Sequence, residues 1–375
     1  MWDRTFGAGG REPDRGAQRH VDVGGEEVHR AVGGQPAEDQ ELRALSDGMA
    51  EMLTSKLTQL EGLQSSFSVV PASEIRGRGI DSVERARKQY GVHLVITGSI
   101  QRLGRAMQFT ANLVDTAGPR QLKSTSFDAA PNDLKALRDG VIGRVLTMLD
   151  QPASPRAEQT LALRETTRAE AYFEYLEGRG YLHRFDVAGN VDRAIESLQK
   201  ALRADPGYAL AHAALGEAYW RKARATNETV WSDRAIASAR KAVELGGSLA
   251  IPLIQLGDIL NQHGDRREAI ERFRQALETE PANADAYRGL GRTYSQLGMA
   301  KEAEAAYQQA VRLRPTDWYA YNLLGVFYFD AGKFDKAEAA WVQARELTPD
   351  NDYPHRNLGM LHIQRGQFEP ARQST

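Results

Sequence analysis

Arg288 and Arg292 stand four residues apart. That is one helical turn, so on a helix their guanidinium forks would face the same way and offer a grip on a carboxylate or an acidic peptide. Two histidines, His355 and His362, lie seven residues apart and would share a helix face, as a metal pair would. Gly77-Arg78-Gly79 opens like a phosphate-binding loop, but Ser82 holds the place of the third glycine that a dinucleotide loop needs. No G-x-x-x-x-G-K-[ST] loop occurs in the chain, and the triplet reads as a plain flexible loop. There are no cysteines, which removes disulfides, thiol nucleophiles and cysteine-ligated metal centres. No nucleophile, base and orienting group assemble. The chain reads as a non-enzyme with no catalytic residue, cofactor or metal ligand, and the question becomes what the arginines stand on.

They stand on a repeat. Gly257, Gly291, Gly325 and Gly359 recur every 34 residues, and Pro281, Pro315 and Pro349 keep the same interval. In the clearest copy Tyr287, Leu290, Gly291 and Tyr294 precede Ala303, Tyr307, Ala310 and Pro315. The next supplies Tyr321, Leu324, Gly325, Tyr328, Ala337, Trp341, Ala344 and Pro349. Spacings of three and four residues place each set on one face of two successive helices. Glycine inside a helix costs roughly 1 kcal/mol relative to alanine. Its return to one position therefore implies a close approach of the two helices, with Tyr307 and Trp341 filling the wider space beside it. The proline cannot continue the second helix and sets the turn to the next copy.

Two upstream copies are looser. His212, Leu215, Gly216, Tyr219, Ala235, Ala239 and Ala242 fit if seven extra residues within 223–231 lengthen the inter-helix loop. Gly178, Tyr181, Ala194, Leu198, Ala201 and Pro206 fit with four extra residues around 185–190. His355 and His362 fall where other copies carry tyrosine, so they are expected to fill the core and not to bind metal.

A 34-residue two-helix unit with these residues resembles the tetratricopeptide repeat (TPR). The resemblance covers residues 169–375, about six repeats, and the last stops at Thr375 and is expected to be truncated inside its second helix. It implies a mainly α fold, a TPR α-α superhelix or solenoid, whose first helices line a concave groove that holds a protein or peptide partner. The groove-facing positions in that register are Asp285, Arg288, Arg292, Tyr319, Asn322, Tyr353 and Arg356, with Glu217 and Asp258 further up. Arg288, Arg292, Tyr319, Asn322, Tyr353 and Arg356 are the candidate peptide-groove residues. The lysine/asparagine clamp of chaperone-binding TPRs is not matched.

Upstream, residues 1–37 are rich in glycine, arginine and acids without any period and read as a disordered tail. From Glu38 an amphipathic helix carries Leu42, Leu45, Met49, Leu53, Leu57 and Leu60. Phe67 and Val69 suggest a strand and residues 83–90 a second helix. Val92, Leu94 and Ile96 alternate, as do Met107, Phe109, Ala111 and Leu113 after a Leu103-Gly104-Arg105 turn, which reads as a hairpin. A strand over 122–127 follows, then a helix capped by Asn132 and carrying Leu134, Leu137, Val141, Val145 and Leu149. This is a small α+β domain with a mostly antiparallel sheet over 38–150, and 151–168 serve as linker and helix lead-in. Ser46-Asp47-Gly48-Met49-Ala50-Glu51-Met52-Leu53, Tyr90-Gly91-Val92 with Ile96-Thr97-Gly98-Ser99-Ile100, and Ala111-Asn112-Leu113-Val114-Asp115-Thr116-Ala117-Gly118 resemble the TolB amino-terminal-like domain, also seen in FlgO-like proteins. That family opens with an apolar strand, and here Gly33-Gly34-Gln35-Pro36 stands in its place. The first strand is therefore expected to be missing.

Net charge is −2 with 26% charged residues, which gives no overall electrostatic case for nucleic acid or an anionic membrane. No apolar run reaches the roughly 18 residues a membrane span needs, and no signal-peptide pattern opens the chain. A soluble, by default cytoplasmic, protein is expected. The two units together resemble the C-terminal half of bacterial signalling proteins. Two expectations follow: a scaffold or sensory module holding a partner in the groove, or the C-terminal regulatory fragment of a serine/threonine kinase, adenylyl cyclase or winged-helix regulator.

Overall fold

A computed structural model of the protein describes residues 19–23, 36–64, 67–70, 82–90, 92–103, 106–118, 120–130, 133, 140–150, 166–247, 249–349 and 351–366. Among the described residues, five strands form one sheet and fourteen helices surround and extend it. The strands are β1 (Arg19–Val23), β2 (Phe67–Val70), β3 (Leu94–Leu103), β4 (Ala106–Asp115) and β5 (Arg120–Ala129), in the order β2-β1-β3-β4-β5. β3 and β4 form the expected hairpin, with Ile96 opposite Leu113, Gly98 opposite Ala111 and Ile100 opposite Phe109. Ile96, Ile100, Phe109 and Leu113 are all buried, as one face of an alternating pair requires.

Two expectations fail at β1. It lies inside the segment read as a disordered tail, and it supplies the strand read as missing. β1 runs parallel to both β2 and β3, with Arg19 opposite Phe67 and Val21 opposite Leu94, so a parallel edge joins the antiparallel β3, β4 and β5. The physical reason is that a parallel strand takes its hydrogen bonds from partners far along the chain. Five residues, Arg-His-Val-Asp-Val, are too few to show a period of their own.

The long helix α1 (Pro36–Gln64) has proline at its first residue, where the missing N–H is not needed. Helix α2 (Val83–Tyr90) begins after Ser82, whose hydroxyl accepts from the Arg85 amide at 3.3 Å. The serine that spoiled the glycine fingerprint is thus a helix cap. Gly77-Arg78-Gly79, the Asn132 cap, Leu134 and Leu137 lie outside the described residues. Helix α3 (Val141–Met148) buries Val141, Ile142, Val145 and Leu146 against the sheet side of the core.

From there the chain is a ladder of antiparallel helix pairs: α4 (Ala169–His183) with α5 (Asn190–Ala204), α6 (Ala209–Thr226) with α7 (Thr229–Gly246), and α8 (Ala250–His263) with α9 (Arg266–Thr279). α10 (Ala284–Gln296) pairs with α11 (Ala300–Leu313) and α12 (Trp318–Asp330) with α13 (Phe334–Leu347), while α14 (Asp352–Gln364) opens the sixth copy. The rest of that copy lies outside the described residues. One detail is corrected. The seven extra residues of the second copy do not lengthen its loop but both its helices, and only Asn227 and Glu228 separate α6 from α7. Asn227 adopts a left-handed φ of 58° that closes α6.

The recurring glycine seats an aromatic ring. A Cβ at Gly257 would sit 2.8 Å from the Phe273 ring, at Gly291 2.7 Å from the Tyr307 ring, and at Gly325 it would overlap the Trp341 indole. The glycine is tolerated because the ring it admits is nearly solvent-free: Phe273 and Trp341 are fully buried. Each later pair also begins with a cap two residues beyond its proline. Asn283 accepts from the Ala286 amide at 3.0 Å, Asp317 from Tyr319 and Ala320, and Asn351 from Tyr353 at 3.1 Å.

The two units share one core. α1 runs antiparallel to α4 at very close range: a Cβ on Gly48 would strike the Leu176 carbonyl, and one on Gly180 the Ala44 carbonyl. Leu45, Met49 and Leu53 of α1 join Ile96 and Phe109 of the sheet and Tyr172 and Leu176 of α4 in one continuous cluster. The face of α4 that bears Gly180 matches the face by which α10 buries Thr293, ten positions into its own repeat. α1 therefore stands where a preceding repeat would place its second helix.

The first pair departs from the repeat at Glu177, which holds the place of Leu215, Leu256, Leu290, Leu324 and Leu358. Glu177 is 8% exposed. Burial, together with the charges of Glu174 and Glu41, pushes its carboxyl up to about 7, against the opposing charge of Lys200 and the hydrogen bond from the Tyr181 hydroxyl.

Two outcomes are expected. Gly180→Leu forces a side chain into the Ala44 backbone, and overpacking of this kind costs roughly 1–3 kcal/mol or more; a urea midpoint equal to that of the unaltered protein would show that the helices are not in contact there. Because the folded pKa of Glu177 lies above its unfolded value near 4.5, its ionisation opposes folding as pH rises from about 4.5 through 7. Glu177→Gln should then stabilise the protein above pH 7 by up to about 3 kcal/mol, with the gain vanishing near pH 4. Paired urea titrations at the two pH values check the sign.

Candidate functional site

The inner wall of the solenoid is set by the first helix of each pair, and the period fixes which residues align along it. The residue after each recurring glycine forms one stripe: Arg179, Glu217, Asp258, Arg292, Val326 and Met360. Its first four members neutralise one another across adjacent repeats. Arg179 donates to Glu217 at 2.9 Å and Arg292 to Asp258 at 2.5 Å. Glu51 of α1 adds a second carboxylate to Arg179, and Arg221 a second cation to Glu217 at 2.7 Å. Burial alone would raise the Glu217 carboxyl, but Arg179 and Arg221 outweigh it and hold it low. At Asp258 burial prevails over Arg292 and Arg288, and the carboxyl is raised.

Arg288 does not present a free fork. One of its terminal nitrogens donates to Asp285 at 2.6 Å and the other to Asp317 at 3.0 Å, and its guanidinium lies 5.3 Å from the centre of the Tyr319 ring. Asp317 is the residue that caps α12, so this arginine ties the fourth repeat to the start of the fifth. Arg314 joins Asp285 from the other side at 3.3 Å. Burial works against ionisation of Asp285, yet Arg288 and Arg314 keep its carboxyl below the usual range. Arg292 is equally committed to Asp258. The paired forks expected for an acidic ligand are thus inter-repeat struts. Asp285 stands on the same helix as Arg288, whereas Asp317 and Asp258 stand about one repeat away in sequence, where the spacing of the arginines alone does not bring them in.

The other candidates divide. Asn322 is buried and accepts from Asn357 of the next repeat at 2.8 Å, while its carbonyl accepts from the Trp341 indole at 3.2 Å. Tyr319 is half-buried beside Trp318, their centroids 5.6 Å apart. Tyr353, at the same repeat position, is 55% exposed. Arg356, at the repeat position of Arg288 and Asn322, is exposed and stacks on Tyr353 at 4.7 Å. Val326 and Met360 continue the stripe as exposed apolar residues. Sequence reasoning missed those two, although the position after the recurring glycine would have found them. The wall is therefore charged but internally neutral over four repeats, and aromatic, apolar and cationic over the last two.

His355 and His362 were expected to fill the core. His355 is half-buried, and its Nε2 lies 2.7 Å from the Pro349 carbonyl oxygen, as His212 Nε2 lies 3.1 Å from that of Pro206. At this position histidine ties a first helix to the proline turn before it and does not fill the core.

If Arg288 is a strut, Arg288→Ala should lower the unfolding free energy by roughly 1–3 kcal/mol, the range for hydrogen bonds to charged groups. Arg356→Ala, at the same repeat position but exposed, should stay within about 0.5 kcal/mol. Equal urea midpoints for the two variants would contradict the assignment.

Residues 260–326 and 318–351 match the family described as tetratricopeptide repeat, and residues 188–222 that described as TPR repeat. A curated protein of Rhizobium meliloti (strain 1021) named "Putative adenylate cyclase 3" is 26% identical over 218 residues, 56% of this chain. This chain spans 36% of that relative's length. Among solved structures, Pseudomonas aeruginosa PilF aligns with a TM-score of 0.46 at 21% identity, over 55% of this chain and 88% of that one. The type IV pilus biogenesis factor PilW aligns at 0.47 and 19%, over 54% and 90%. MamA aligns at 0.36 and 28%, over 42% and 89%. Residues 188–222 and 260–351 of this chain are tetratricopeptide repeats, the architecture by which proteins generally hold other proteins.

Proposed function

We propose that this protein is an interaction scaffold that holds an extended segment of a partner protein on the inner wall of its last two repeats. The observation that carries this reading is the change in that wall. Four repeats spend their groove charges on one another, whereas Tyr353, Arg356, Val326 and Met360 face solvent together. Tyrosine and methionine offer adaptable apolar contact, and an arginine stacked on tyrosine offers a fixed donor fork for a carboxylate. Tyr319 extends the aromatic surface upstream, while Arg288, Arg292 and Asn322 hold the repeats in register beneath it. Contact residues and struts then have different mutational signatures. Tyr353→Ala combined with Arg356→Ala should weaken capture of protein partners from native lysate at least tenfold without lowering helicity by circular dichroism. If the same partners are retained at the same strength, the site lies elsewhere on the solenoid.

The likeness to the adenylate cyclase relative favours a second reading, in which these repeats, with the α+β unit read as TolB-amino-terminal-like, form the regulatory part of a bacterial signalling protein. The two readings agree that this chain has no enzymatic centre of its own, needs no cofactor, and works in the cytoplasm without binding nucleic acid. Incubation with ATP and magnesium or manganese should yield no cyclic AMP; turnover abolished by a single carboxylate change in this chain would overturn that view.

A further inference from the structure

The α+β unit contains a hollow that the groove reading leaves unused. On the sheet face under α1, Gly98 stands opposite Ala111, between the larger pairs Ile96–Leu113 and Ile100–Phe109. Ala50 of α1 lines the same spot. These three small residues, where the flanking layers carry large ones, border an open cleft whose empty space, open solvent included, is about 500 Å³. Its walls include Met49, Leu53, Ile96, Ile100, Phe109 and Phe127, with Ser46, Thr97, Ser99 and Thr110 among them, and are mainly apolar. Protein interiors are otherwise close-packed, and a void lined by aliphatic and aromatic groups stays dry and accepts apolar molecules.

A cation stands beside one wall. Phe127 stacks on Phe109 with centroids 5.2 Å apart, and the Arg144 guanidinium lies 5.0 Å from the Phe127 centroid. The remaining polar contact of Arg144 is a 3.5 Å approach to the Thr125 hydroxyl. Among the described residues no carboxylate pairs with it, in contrast to Arg179, Arg288 and Arg292. The neighbouring charges, Lys123 and Asp150, satisfy each other at 2.7 Å. A mainly apolar cleft with a charged group beside it is a usual form of small-molecule site.

We propose that this hollow binds a small amphipathic carboxylate, with its hydrocarbon end in the void and its carboxylate on Arg144. The site is independent of the groove, and either reading can fail alone. Octanoate is a suitable probe, with 1-octanol and octyltrimethylammonium as uncharged and cationic counterparts of equal chain length. Calorimetry on the full chain should show one-to-one binding of octanoate, weaker binding of octanol and none of the cation. Arg144→Gln should weaken octanoate about tenfold and leave octanol unchanged, because each carbon still enters the same void. Ala111→Phe or, from the helix side, Ala50→Leu should fill the hollow and abolish both without lowering the thermal midpoint. Octanoate binding that survives a filled hollow, or that ignores Arg144→Gln, overturns the assignment. So does a protein that binds neither octanoate nor octanol, or one that binds vesicles of anionic lipid but no free octanoate.

Discussion

Helix axes can approach each other only as closely as the side chains between them allow, and in this protein the decisive side chains are absent. Gly257, Gly291 and Gly325 let an aromatic ring lie flat on the neighbouring helix. Gly48 and Gly180 let two backbones meet without any ring between them. The first kind of contact repeats and builds the solenoid. The second occurs once and joins the solenoid to the sheet. Each glycine forfeits about 1 kcal/mol of helix propensity, which the burial of a whole phenylalanine, tyrosine or tryptophan more than offsets. Because α1 fills the place of a missing second helix, the first repeat has a neighbour on both sides, as every interior repeat does.

Electrostatics then decides what the groove can do. Net charge near zero conceals strong local pairing: Arg179 of the first repeat meets Glu217 of the second, and Asp258 of the third meets Arg292 of the fourth. Pairs of this kind lose much of their attraction to desolvation and to solvent screening, so their main effect is on register. They fix which repeat faces which, and they leave no early cation for a ligand. Where the stripe switches to Val326 and Met360, the pairing stops and a surface suited to another protein begins.

The repeat was legible because it is periodic, and the helices over 83–90 and 36–64 because their apolar positions keep a 3.6-residue spacing. What escaped was whatever depends on residues far apart in sequence. β1 has two neighbours that lie tens of residues downstream, and its five residues carry no signature without them. Arg288 looks like a ligand fork until Asp317 is brought beside it by a turn that the same aspartate caps. The lengthened second pair was read as a loop insertion because an interruption of the period does not say whether helix or turn absorbs it. Tyr353 and Arg356 were found from register alone, but their exposure, against the burial of Asn322 at an equivalent position, follows from which neighbours each meets in three dimensions.

The ion pairs between repeats also have a mechanical side. Arg179–Glu217 and Arg292–Asp258 join adjacent first helices, and Arg240–Glu268 and Lys336–Glu304, each at 2.8 Å, join adjacent second helices. Salt weakens attractions of this kind and barely touches the packing of alanines and rings between them. Both rows of helices therefore carry an ionic seam over an apolar one, and raised ionic strength loosens the seams while leaving the core of each pair intact.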